Sequence, residues 1–93
     1  MIKHIVFFKN ENGTKITQLK DMLIKLKSEI DFIVDLEVGV DFLHSPRSFD
    51  LALTVLLPDA THLDLYANHP KDVPIVEWVK SNGFESKTVD YEI

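Results

Sequence analysis

A few side chains in this sequence have the chemistry to move a proton. His4 stands in the apolar run IKHIVFFK, Tyr66 and His69 share YANHPKDV with Asp72, and Asp90 lies in the closing VDYEI. Imidazole exchanges a proton near neutral pH, whereas a carboxylate with an unperturbed pKa of about 4 is a weak base. His4 is therefore the first candidate. Each residue also has a structural alternative. His4 can be a satisfied core histidine, and Tyr66 can pack its ring with the hydroxyl at a rim. His69, just before Pro70, can end one helix and cap the next. Trp78 either walls a pocket or packs on a sheet. His44 and His62 belong to a loop and a helix surface and are assigned nothing.

The 93 residues make one small domain, 1–93, and a chain of this size buries only about two-thirds of its unfolded surface. A deep cavity inside one protomer is not expected. Ten basic against 15 acidic residues leave a net charge of -5, without the basic surface that nucleic acid or an anionic membrane would need. There is no cysteine, so disulfides, zinc-thiolate sites and thiol catalysis are excluded. The start, MIKHIVFFKN, is too short and too charged for a signal peptide or a membrane span. A soluble cytoplasmic protein is expected, and no cofactor is indicated.

Periodicity places these residues on elements. Residues 2–9 predict a strand with Ile2, His4, Val6 and Phe8 on one face and Lys3, Ile5, Phe7 and Lys9 on the other. After NENGT, with Thr14 as the expected N-cap, Ile16, Leu19, Met22, Leu23, Leu26 and Ile30 recur at helical steps. IVDLEVGVDF alternates Val34, Leu36, Val38, Val40 and Phe42 against Asp35, Glu37 and Asp41, a strand with one wet face. HSPRS is a loop, and residues 49–57 predict a strand apolar on both sides.

Asp59 is the expected N-cap of a helix carrying Leu63, Tyr66 and Ala67, which must stop near His69 because Pro70 disfavours helical geometry in the residue before it. A second helical stretch runs from Pro70 or Pro74 to Asn82, with Gly83 as a left-handed cap. FESKTVDYEI closes the chain as a strand, with Val89, Tyr91 and Ile93 facing one way and Ser86, Thr88 and Asp90 the other. The order predicts an α+β fold, the ferredoxin-like βαββαβ arrangement with a four-stranded antiparallel sheet.

In that topology both crossover helices cover one face of the sheet and leave the other bare. The first and third strands are apolar on both faces, so a second copy of the sheet is the expected cover. A homodimer follows, enclosing a barrel-like interior in which a small hydrophobic or aromatic ligand would lie. Val6, Phe8, Leu53, Val55, His69, Trp78 and Asp90 are the expected lining. His4, Asp72 and Asp90 converging there would also make a possible ligand set for a divalent metal.

IKHIVFFK, DLEVGVDF, YANHP and VDYEI, in that order across nearly the whole chain, resemble the stress-responsive α/β-barrel family, also called Dabb. The resemblance implies a dimeric α+β barrel. One branch of the family, the plant polyketide cyclases that form olivetolic acid by intramolecular aldol condensation, is more distantly similar. Its active-site histidine matches His4 and its pocket tyrosine matches Tyr66. Its second histidine falls on Asp72, and the aspartate supporting that histidine falls on Asp90. The resemblance thus sets two carboxylates where the cyclase has a histidine–carboxylate pair.

These residues are compatible with three kinds of function. The first is a dimeric module of stress physiology that binds a small hydrophobic molecule. The second is a cofactor-free cyclase, lyase or isomerase using His4, Tyr66 and Asp72 on an enolisable aromatic or polyketide-like substrate. The third, by analogy of fold, is a cofactor-free or haem-degrading monooxygenase.

Overall fold

In the computed structural model, which describes Met1–Ile93, β1 (Ile2–Lys9) runs through the middle of the sheet. It is followed by α1 (Gly13–Glu29), β2 (Asp35–Val40), β3 (Leu51–Leu57), α2 (Ala60–Ala67), α3 (Val73–Ser81) and β4 (Glu85–Glu92). The strands lie in the order β2-β3-β1-β4 and every neighbouring pair is antiparallel. This is the expected ferredoxin-like arrangement.

Helix ends follow local chemistry. Asn12, not Thr14, caps α1, because its side-chain oxygen accepts the backbone N–H groups of Thr14 and Lys15. Asp59 caps α2 by accepting from the His62 N–H at 2.9 Å. Past Ala67 the chain folds on itself: the His69 carbonyl accepts from Asp72 and Val73, and the His69 ring nitrogen Nδ1 accepts from the Lys71 N–H. His69 therefore closes the turn between α2 and α3, with Pro74 in the first turn of α3. Gly83, at φ 73°, takes the left-handed conformation just beyond that helix.

Ile16, Leu19, Leu23 and Leu26 of α1 pack on Val6 and Phe8 of β1 and on Leu51, Leu53, Val55 and Leu57 of β3 in one hydrophobic core. The second strand is shorter than its alternation suggested. Val34, just before the strand, is exposed, and so are Val40 and Phe42, Phe42 at 89%, because pairing with β3 ends at Val40 and the chain turns away.

The helices cover the face that carries Ile2, His4, Val6 and Phe8. Phe7, Val89 and Tyr91 remain exposed on the other. The expected site between two facing sheets is therefore corrected: His4, Val6, Phe8, Leu53 and Val55 point under the helices of their own chain. No helix is long and apolar enough to cross a membrane.

Candidate active site

His4 sits in the middle of β1, with Val55 of β3 on one side and Asp90 of β4 on the other. Residues directly opposite on antiparallel strands present their side chains to the same face. The ladder therefore brings the Asp90 carboxylate to the imidazole, and His4 Nδ1 lies 2.5 Å from Asp90 Oδ1. A carboxylate only accepts, so Nδ1 carries the proton in the neutral ring and the lone pair is left on Nε2. His4 retains 16% side-chain exposure and Asp90 39%, so the pair stands at an opening rather than in the core.

The helices supply the rest. Tyr66 reaches inward from α2, only 3% exposed, with its ring edge-on to the His4 ring at a centroid distance of 5.6 Å. The turn at His69 delivers Asp72 to the start of α3, where it is 6% exposed, the one charged side chain buried in the chain. Its side-chain hydrogen-bond partner is the Tyr66 hydroxyl, a neutral donor.

Burial pushes the Asp72 carboxyl up to about 6, against the opposing influence of His4, Tyr66 and His69. Burial first, and the nearby Asp72 charge second, hold the Tyr66 phenol far above its ordinary range, so it remains a proton-bearing donor.

These groups face a cavity of about 310 Å³ between the sheet and the helices. His4, Tyr66 and Asp72 form its polar end, and Leu23, Leu53, Leu63, Ile75 and Val79 its apolar walls. Ser86 and Thr88 stand on the β4 side, where every residue of the strand is exposed. The space is open to the surface and lies within one protomer, where α2 and α3 stand over β1.

Of the expected lining, Val6, Phe8 and Leu53 border this cavity. Val55 is fully buried beneath it. Trp78 packs on Phe84 at 5.6 Å, and His69 turns to Phe32 on the outer surface at 6.1 Å. Asp90 acts through His4 rather than as lining. No three His, Asp or Glu side chains are grouped as metal ligands, so His4, Asp72 and Asp90 do not assemble into such a set. A larger hollow of about 420 Å³ lies around Phe7, Phe42 and Phe49 and contains no histidine.

Two features escaped the sequence. Asp90 pairs with His4 rather than sitting beside Asp72, and aligning β1 against β4 would have revealed it. Leu23, Leu63, Ala67, Ile75, Val76 and Val79 belong to the helices bordering the cavity. Their helical spacing marks them as inward-facing but does not separate cavity wall from solid core.

Comparison with known proteins points the same way as the topology. A solved structure from Bacteroides fragilis, described as a dimeric protein of unknown function with a ferredoxin-like fold, is 25% identical; the match covers 99% of this chain and 95% of that one, with a TM-score of 0.82. A dimeric ferredoxin-like protein of unknown function from Thermobifida fusca is 20% identical over 99% and 90% of the two chains, at a TM-score of 0.84. The hydroxynitrile lyase of Passiflora edulis shares the fold at 17% identity over 99% and 92%, at a TM-score of 0.80. No curated protein matches the sequence. The Stress Responsive A/B Barrel Domain family, Dabb, matches residues 2–93, and the chain belongs to that family.

Proposed function

We propose that this chain is an acid–base catalyst acting on a small, largely apolar molecule held between its sheet and helices, in a homodimer joined through the open sheet face. The observation that carries the catalytic reading is the His4–Asp90 pair at the polar end of an otherwise apolar cavity. A histidine oriented by a carboxylate, with its free nitrogen available to substrate, is the common arrangement of a general base. The cavity, about 310 Å³, is at the small end of the range for small-molecule sites.

The reaction class is proton removal from a carbon next to a carbonyl, the first step shared by isomerases, aldol-type cyclases and many lyases. His4 Nε2 takes the proton, and Asp90 stabilises the imidazolium that results. The negative charge that develops on the substrate oxygen is met by the Tyr66 hydroxyl, which stays protonated. Asp72 accepts from a hydrogen-bond donor elsewhere on the substrate. The apolar walls keep water from competing for these contacts. A homodimer covers Phe7, Val89 and Tyr91, which are otherwise exposed apolar side chains, and the similar proteins from Bacteroides fragilis and Thermobifida fusca are described as dimeric.

The test uses no assumed substrate beyond its class. Small aryl ketones are incubated with the protein in heavy water, and deuterium uptake at the α-carbon is followed by NMR. Uptake above background that disappears in His4→Ala supports the proposal. Uptake that is the same with and without His4 defeats it.

A further inference from the structure

We propose that the ligand of this cavity carries a protonated amine that meets the Asp72 carboxylate while its apolar body lies along Leu23, Leu53, Ile75 and Val79. The inference rests on the reading that the cavity is the ligand site, and not on proton abstraction by His4. Asp72 is buried to 6% exposure and borders the cavity, and its carboxylate has the neutral Tyr66 hydroxyl as its side-chain hydrogen-bond partner. The start of α3 does not need it, because its side chain makes no capping bond there. One neutral donor leaves the charge of a carboxylate in that position uncompensated.

The groups facing Asp72 do not remove this deficit. His4 approaches from β1, Tyr66 from α2, and His69 from the turn between α2 and α3. No lysine or arginine borders the cavity. A neutral hydroxyl would supply one hydrogen bond and leave the charge in place. An ammonium group supplies charge-assisted bonds and neutralises the charge together. The chain's net charge of -5 also favours the approach of a cation over an anion.

Three matched probes distinguish the possibilities: toluene, benzyl alcohol and benzylamine, which share one apolar body. Binding is followed by backbone amide shifts of residues around the cavity, such as Val79 and Thr88, at about pH 7.5. Benzylamine is expected to bind at least about tenfold more tightly than benzyl alcohol. That advantage is expected to shrink as the pH falls through the Asp72 transition near 6, where the carboxylate is lost. Asp72→Asn is expected to abolish the preference while leaving toluene binding in place, which also shows that the variant is folded.

Benzyl alcohol binding as well as benzylamine, or an amine preference that survives Asp72→Asn, overturns the inference and leaves the catalytic reading standing. If none of the three probes shifts these amides, the cavity is not a ligand site, and both readings fall.

Discussion

His4 Nδ1 lies 2.5 Å from a carboxylate oxygen of Asp90, although 86 residues separate the two in sequence. Their meeting follows from register alone, since β1 and β4 pair so that His4 stands directly opposite Asp90. The carboxylate fixes the tautomer of the ring and leaves Nε2 as the nitrogen able to take a proton.

Asp90→Asn is therefore expected to slow deuterium uptake by roughly 10²- to 10⁴-fold, because a neutral amide neither fixes the tautomer firmly nor stabilises the imidazolium. Toluene binding is expected to be unchanged, since Asp90 does not border the cavity. A rate within about twofold of the parent would show that the pair is structural only.

Asp72 gives stability an unusual dependence on pH. Its folded carboxyl is raised from the ordinary 3.8 to about 6, so between those values the folded state holds the proton more firmly than the unfolded chain does. Stability from this group therefore falls as pH rises through that interval. The full penalty is present above about 6, and none remains below the unfolded value. With allowance for solvent screening at the cavity mouth, it amounts to about 2 kcal/mol. Denaturant melts of Asp72→Asn should show the variant gaining about that much over the parent at pH 8, and little at pH 3.5. An equal difference at both pH values would contradict the assignment.

The fold could be read from the sequence because its evidence is periodic. Ile16, Leu19, Leu23 and Leu26 mark one helix face, and the alternation of Leu51, Leu53, Val55 and Leu57 marks one sheet face. Those patterns do not say what stands opposite. The His4–Asp90 pair depends on which strands are neighbours and in what register. The cavity depends on how far α2 and α3 stand off β1. The weak-base view of Asp72 took the acidity of an exposed carboxylate, and only tertiary burial alters that. Asn12 displaced Thr14 as the cap of α1 because two polar residues, separated by Gly13, compete at that end, and the choice between them is geometric.

Gly83 provides a backbone test. At φ 73° it has no atom within 4 Å of where a β-carbon would stand, so alanine meets no clash with neighbours. Its cost is then conformational. Gly83→Ala is expected to lower stability by about 1–2 kcal/mol, measured by denaturant unfolding. A neutral result would mean that the turn after α3 relaxes out of the left-handed region.

The open sheet face tests the assembly separately from the site. Phe7 is 44% exposed, stands 6.5 Å from Phe49, and lies on the opposite side of β1 from His4. A second sheet packed against this face would sit about 10 Å away and bring apolar side chains of both copies into contact. Phe7→Glu would then place a buried charge in each half of the interface, whereas Phe7→Leu would keep the face apolar. Sedimentation at micromolar concentration is expected to show a dimer for the parent and for Phe7→Leu, and a monomer for Phe7→Glu. Because the cavity lies under the helices of one chain, the monomeric variant should still bind toluene. Loss of that binding together with the dimer would mean that the partner holds the cavity in shape. A dimer that survives Phe7→Glu would place the interface elsewhere and leave the apolar sheet face without its proposed cover.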